Sequence, residues 1–458
     1  MNPSNNSSRK DKGMALLMAL FLTLLAGLLV TPILDRAVFH HNDAFREQRY
    51  ITALHLAEAG IEDGIWHLSY DKEDEWTGWD VSNDEVYEKN RSTFYDTSGN
   101  AVGEFEIEIL NPIPLGTQID IGPLGSALPF PIISNSEPTI IATAGIPDIE
   151  TVGSEVRVIE VEAKARTVFS LGLFSDEDLE LGGTTVVDSF DSRDGFYGVG
   201  GNIYSNGDAG SNHDILLNGT PIIDGDASAG GSVVLVGNNA EITGEVEGGM
   251  TKIDLPPVNT LVDAAKLEND NADIPQAVKS NGQLVDAFNP STGELNVVSG
   301  ATLTLPGGTQ DNPKVYYLSS SNLGGNSNLI VDGHVVIFTD GDLDWNGGTV
   351  VNNGGSGPPE RLMIYSSGTL DTDITINGGA GYAGVIYAPD AHITLTGGGD
   401  IYGAAVGGKV DVSGNGEFHY DEALGDVGLI AFFEVNEWNE KPRPWETAST
   451  SETSPTWQ

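Results

Sequence analysis

Two kinds of residue in this chain have types and spacings that can do chemistry. The first is the grouped carboxylate: Asp188/Asp191/Asp194, Asp340/Asp342/Asp344 and Asp371/Asp373. In the last two groups, alternate residues of a strand would share one face. Two carboxylates ~5 to 9.5 Å apart are what hydrolysis of a glycosidic bond requires. With 67 acidic residues in 458, however, such spacings also arise by chance. The second kind is histidine, at positions 40, 41, 55, 67, 213, 334, 392 and 419. No pair has zinc-site spacing on a defined element, and HExxH is absent. His419 in "HYDEA", beside Tyr420 and Asp421, stands out most. It is expected to be a terminal residue hydrogen-bonded to the end cap of its domain. Neither an EF-hand loop nor a GGxGxDxUx calcium repeat occurs. GxSxG, Walker A and dinucleotide fingerprints are missing too, and "GGAGYAG" (378–384) lacks the βαβ setting such a loop needs. There is no cysteine, which excludes disulfides, thiolate metal sites and cysteine catalysis. No catalytic residue, metal ligand or cofactor is therefore assigned.

Charge narrows the partners. Lys+Arg number 21 against 67 Asp+Glu, a net −46. Such a surface is repelled by phosphate backbones, so no nucleic-acid partner is expected. It suits solubility in a salty medium or loose binding of divalent cations and cationic partners.

The element that must position everything else is N-terminal. Met14 to Leu34 carries no charge across 21 residues, including Leu16, Leu20, Leu24 and Leu28. At ~1.5 Å per residue this run spans a ~30 Å hydrocarbon core. Arg9, Lys10 and Lys12 precede it, which keeps the N-terminus cytoplasmic. A cleavable secretory signal would be shorter and end in an Ala-x-Ala-like site, and here the run ends in "VTPILDRAV". Beyond it, Ala37, Phe45, Ala53, Leu56, Ala57, Ile61, Ile65 and Leu68 continue at helical spacing. The expectation is one helix of roughly 55 residues, half apolar and half amphipathic, bent by Pro32.

"KG-MALLMALFLTLLAGLLV" followed by "ALHLAEAGIEDGI" resembles the N-terminal region of PilX-type minor pilins, of the type IV pilus and type II secretion pseudopilin class. The match covers about residues 9–68. The resemblance implies that prepilin peptidase cuts after Gly13 and that Met14 becomes the methylated first mature residue. It also implies other pilins or pseudopilins as partners through the helix. The location implied is the bacterial inner membrane, and the pilus or cell surface after assembly. One position departs from the pattern: Met18 stands where major pilins carry a glutamate, which points to a minor or tip subunit. An uncleaved anchor carrying a coiled-coil stalk is the plainer alternative.

Further along, residues 70–100 read as an irregular loop. "GEFEIEIL" (103–110), "TIIATAG" (139–145) and "EVRVIEVEAKA" (155–165) read as antiparallel strands, the first and last from clear period-2 alternation. From about residue 171, short β-branched runs alternate with Gly/Asn/Asp turns, and 58 glycines in the chain support many corners. The residues leave a sandwich or barrel and a parallel β-helix open, with the strand shortness favouring the latter. Within 251–290 a short helix interrupts the pattern. "FDSRDGFYG" (190–198), "DLPPV" (254–258), "VIYAPDAHITLTGGGDIYGAAVGG" (385–408) and "HYDEAL" (419–424) resemble a bacterial domain of unknown function, and that resemblance implies a right-handed parallel β-helix.

The fold class expected is thus mainly β: a long N-terminal transmembrane and amphipathic helix, a small pilin-like antiparallel sheet, then the β-helix. The expected divisions are a leader (1–13), the helix (14–70), a pilin-like α+β region (71–170), the β-helix (171–434) and a disordered tail (435–458). The function expected is a minor pilin-like surface protein displaying its β-helix for adhesion or assembly priming, with a carbohydrate or cell-surface ligand. The competing reading is a membrane-tethered carbohydrate-active lyase or glycosidase.

Overall fold

The computed structural model describes residues 8–70, 76–83, 85–112, 137–236, 239–310, 312–346, 349–351, 358–379 and 381–441. Helix α1 (Ser8–Tyr70) runs uninterrupted for 63 residues, longer than expected, with Pro32 inside it. Proline removes one backbone donor. Beside it the Thr31 hydroxyl donates to the Gly27 carbonyl at 2.8 Å. Most of the leader (residues 1–7), the segments 113–136 and 442–458, the surroundings of Gly13 and the side chains of Met14 and Leu16 lie outside what is described.

The last third of α1 packs on an antiparallel sheet in the order β1 (Trp79–Asn83), β2 (Val86–Tyr95), β3 (Ala101–Leu110), β4 (Thr139–Ile146), β5 (Glu155–Thr167). The alternating segments supply its inner face: Ile107 and Ile109 from β3, Ile140, Ala142 and Ala144 from β4, Ile159, Val161, Ala163 and Ala165 from β5. Two expectations are corrected. Residues 70–100 contain β1 and β2 and are not an irregular loop. Tyr87 is the one buried side chain among β2's residues, so backbone pairing to β3 holds the strand rather than a readable apolar face. The second correction concerns the C-terminus. Strand Ile430–Lys441 is the sixth strand of this sheet, antiparallel to β5. Residues 430–434 therefore leave the glycine-rich body, and 435–441 are not a tail. The outer half of the strand is exposed, and pairs such as Lys441–Glu160 at 2.7 Å lie along it, which is how charged edge strands are built.

Between β5 and this last strand lies a body of short strands in parallel ladders. Leu173–Ser175, Leu179–Gly183 and Val186–Phe190 pair with Ala209–Ser211, Ile215–Gly219 and Ile222–Ile223. These pair in turn with Ala227–Ala229, Val233–Leu235 and Glu241–Ile242. Aspartates fasten one tier to the next. Asp208 accepts from the Asp226 N–H eighteen residues on (2.8 Å), and Asp226 accepts from the Glu245 N–H nineteen residues on (2.7 Å). Glycines form a column at one corner. Gly397, Gly414, Gly183 and Gly219 all have positive φ, and a Cβ on any of the last three would collide with the carbonyl of the glycine in the adjoining tier.

From Glu294 onward the ladders resume through Ser320–Leu323, Leu343–Asn346, Asp373–Gly378, Tyr382–Gly397 and Ile401–Gly414. Ile401–Gly414 then pairs with Leu173–Ser175 and Leu179–Gly183, and Phe418–Asp421 pairs with Val186–Phe190. The chain thus enters and leaves the body at its middle. It builds outward to one end, crosses by residues 251–290, and returns from the other end. That crossing contains helix α2 (Asn259–Leu267), which buries Leu261, Val262 and Ala265. Inside, Phe338, Tyr365 and Tyr387 occupy register-matched positions on three successive strands, with centroids 5.5 and 6.0 Å apart. The Tyr387 hydroxyl donates to the Pro256 carbonyl at 2.7 Å, tying the "DLPPV" crossing to the ladder.

Candidate functional site

The anchor comes first. Every residue from Leu17 to Arg49 is exposed. Leu20, Leu24 and Leu28 expose 63%, 60% and 67% of their surface, part of a continuous apolar rod that no described residue covers. Among the described residues, α1 is the one helix long and apolar enough to cross a membrane. From Ala53 the surface inverts: Ala53, Leu56, Ala57, Ile61 and Leu68 are buried. Gly60 and Gly64 let the helix lie close. A Cβ on Gly60 would stand 3.0 Å from Ala142 Cβ, and one on Gly64 2.9 Å from Ile140 Cγ2. The "AEAGIEDG" segment is therefore a small-residue docking strip for the sheet. Above it, a cavity of about 940 Å³ opens between α1 (His41, Phe45, Arg46, Arg49) and the β4–β5 turn, where Arg46 donates to Glu155 at 2.8 Å.

The second candidate is a covered nook on the body. In strand Phe418–Asp421, Phe418 and Tyr420 belong to the body's core, so His419 and Asp421 fall on the opposite face. That face would meet water, yet both side chains are fully buried, because loop 191–206 lies over them. Asn202 pins the loop, donating to the Asp191 and Gly195 carbonyls (2.8 and 3.0 Å) and accepting from the Asp191 N–H.

Under the loop, His419 Nδ1 lies 2.5 Å from Asp188 Oδ1, its register partner on the neighbouring strand. The Tyr197 hydroxyl donates to the other Asp188 oxygen at 2.6 Å, and its ring covers the imidazole at 3.8 Å between centroids. Tyr402 flanks the imidazole at 4.8 Å. Burial, and then the Asp188 carboxylate, drive the Tyr197 phenol far above its ordinary range, and burial pushes Tyr402 up to about 12. A carboxylate accepts, so the Asp188 contact orients the ring with Nδ1–H towards Asp188 and Nε2 away from it. Nε2 is buried without a hydrogen-bond partner and lies 3.6 Å from Glu417 Oε2. Asp400, Glu417 and His419 each present a ligand atom within 4.8 Å of the others. Two residues along, Asp421 accepts from the Ser192 and Ala423 N–H groups (2.9 and 3.2 Å), and burial raises its carboxyl to about 6.

His419 is thus not a terminal residue held by a cap: it sits on an interior strand, in the tier that meets the first tier of the body. The acidic groups picked out by spacing are dispersed. Asp188 serves His419, Asp191 pairs with Arg193 at 2.7 Å, and Asp194 accepts from the Tyr204 hydroxyl at 3.3 Å. Asp340 and Asp342 precede the strand that holds Asp344, and Asp371 precedes the strand that begins at Asp373, so neither group shares a strand face. Turns placed them there. Asp340 receives Tyr317 and Lys266 (2.7 and 2.9 Å), Asp342 caps the Asp373 N–H at 3.0 Å, and Asp373 lies 3.3 Å from His392. What spacing missed was the partnership of Asp188, Tyr197, Asp400 and Glu417 with His419. The nearest signal was that "FDSRDGFYG" and "HYDEAL" both carry more polar and aromatic residues than a corner needs.

Residues 238–427 match the family model described as Domain of unknown function (DUF7305). No curated protein matches the chain. Among solved structures, the chain is similar to the competence-associated pilin ComZ from Thermus thermophilus, at 11% identity and TM-score 0.27, covering 86% of this chain and 98% of that one. It is also similar to an ice-binding protein from the Antarctic ascomycete Antarctomyces psychrotrophicus, at 14% identity and TM-score 0.28, covering 56% of this chain and 97% of that one. A glycosylated ice-binding protein from an Arctic yeast is similar at 13% identity and TM-score 0.25, covering 56% and 94% respectively.

Proposed function

We propose that this chain is a PilX-type, minor pilin-like surface protein of a type IV pilus or related secretion filament. The observation that carries the reading is the division of α1 into an uncovered apolar rod and a segment docked by small residues on an antiparallel sheet. An apolar surface of that length demands lipid or other helices around it. In this reading α1 crosses the bacterial inner membrane once, with Arg9, Lys10 and Lys12 on the cytoplasmic side. Prepilin peptidase cuts after Gly13, and Met14 is methylated. On assembly, Leu16, Leu20, Leu24 and Leu28 exchange lipid for the helices of neighbouring pilins. Met18 brings no carboxylate into that apolar setting, where one is costly unless paired, which favours a minor subunit. The parallel ladders, read as a right-handed parallel β-helix, are displayed outward for adhesion or assembly priming, towards a carbohydrate or another cell-surface group.

N-terminal mass spectrometry of the native protein tests this: a mature chain beginning at N-methylated Met14 is expected, and Met1–Gly13 still attached refutes it. The reading also makes the chain a display protein. Polysaccharides incubated with it should keep their length. Shortening that is lost in Asp342→Asn would replace this reading with a membrane-tethered lyase or glycosidase.

A further inference from the structure

We propose that Asp400, Glu417 and His419 bind one divalent transition-metal ion, with Zn2+ as the probe. The decisive feature is not the two carboxylates, which are common in so acidic a chain, but the imidazole between them. His419 is fully buried, yet its Nε2 has no hydrogen-bond partner. A buried polar atom left unpaired costs free energy that a ligand would recover. Its Nδ1 is committed to Asp188 at 2.5 Å, so Nε2 is the ring nitrogen left to take a metal, and it faces Glu417 3.6 Å away. A carboxylate holding the far nitrogen of a histidine is the usual way a metal-ligating imidazole is oriented and made more basic. Here Asp188 is itself held by the hydroxyl of Tyr197, which belongs to the covering loop 191–206.

The donor set decides the metal class. One imidazole nitrogen and two carboxylate oxygens suit Zn2+ and its first-row neighbours, whereas Ca2+ and Mg2+ take oxygen ligands. The ligand atoms lie within 4.8 Å of one another, and Glu417 is exposed, so its carboxylate can swing to close the set. Among the described residues, neither Asp400 nor Glu417 ion-pairs with a lysine or arginine; Asp400 accepts from the Tyr402 hydroxyl at 3.4 Å, and Glu417 faces His419 alone. The ligands come from two adjoining tiers: the Ile401 N–H donates to the Glu417 carbonyl at 2.8 Å, and the Glu417 N–H points to Asp400 at 3.4 Å. Asp188 belongs to the next tier, the first of the body. A bound ion would therefore staple the seam where the returning chain meets its own beginning. It would leave coordination positions open on the Glu417 side.

The test uses the full chain in detergent, dialysed against Zn2+ with millimolar Mg2+ and Ca2+ to occupy loose carboxylate sites, and then assayed for retained metal. One Zn2+ per chain is expected, with Co2+ in its place giving the visible absorption of a nitrogen–oxygen site. Glu417→Gln changes an exposed group and should keep the metal-free melting temperature while weakening Zn2+ at least tenfold. Asp188→Asn should weaken it tenfold to a hundredfold through misorientation of the ring. Two results would overturn the proposal. One is no Zn2+ retained above the Mg2+/Ca2+ background. The other is retention at equal affinity in Glu417→Gln and Asp400→Asn, which would place the ion elsewhere on the acidic surface.

Discussion

Replacing Gly64 by alanine pits two effects of known sign against each other. Alanine favours a helix over glycine by about 1 kcal/mol, and this alone would stabilise the protein. Against it stands the sheet: the new Cβ would lie 2.9 Å from Ile140 Cγ2. The comfortable carbon–carbon separation is about 3.5–4.0 Å, so helix or strand must move by at least half an ångström or so. Ile140 is β-branched and fully buried between its register partners Ile109 and Val161 on the same sheet face, so it has little room to yield. Overpacking of this kind costs about 1–3 kcal/mol. The net expectation is a loss of about 1 kcal/mol for Gly64→Ala. For Gly64→Val, which lacks alanine's helix preference and is larger, the loss is about 3 kcal/mol. The readout must be local because the chain has two separate hydrophobic cores, and a global melt would mix them. Hydrogen exchange of amides 57–68, followed by mass spectrometry, reports opening of this segment. Ala59→Gly, an exposed position in the preceding turn, supplies the intrinsic helix term. If Gly64→Ala slows exchange by as much as Ala59→Gly speeds it, helix propensity alone is at work and the close-packing argument fails.

The remaining expectations concern the body. Trp345→Ala should cost about 3–5 kcal/mol, since a fully buried indole is lost and Ser321 loses the donor it meets at 2.9 Å; denaturant unfolding of the body checks this. Tyr387→Phe removes only the hydroxyl that holds the Pro256 carbonyl, for about 1 kcal/mol, and should appear as faster proteolysis within 251–258. Asp226→Ala strips the acceptor from the Glu245 N–H, so exchange at that amide should rise by an amount equivalent to about 0.5–1.5 kcal/mol with little change elsewhere.

Legibility followed the length scale of the forces. The docking face of α1 and strands β3 to β5 were readable because each buries one face, so periodicity is written locally in residues such as Ile107 and Ile109 or Ala53 and Ala57. Strand β2 was not readable: its stability resides in backbone pairing to β3, which any polar sequence can make. The strand Ile430–Lys441 was masked in the same way, its Asn and Glu residues marking an exposed strand instead of a disordered one. The nook was illegible for a different reason. His419 and Asp188 are 231 positions apart, and they meet because the last tier stacks on the first. Spacing rules detect ligands on one element and are blind to pairs created by that closure.

Thr167 ends β5, and its register partner across the sheet is Ile430. Topologically, β5 and the last strand are the two arms of a hairpin whose loop is the entire parallel body. The six-stranded sheet and its helix therefore form a socket, complete apart from one turn, and everything between 168 and 429 is a cartridge plugged into it. The stretch that matches DUF7305 lies wholly inside the cartridge. A short two-residue turn joining Thr167 to Ile430 would leave every strand pairing of the socket intact, and would cost only the contacts that Thr167 and Ala431 make with the cartridge.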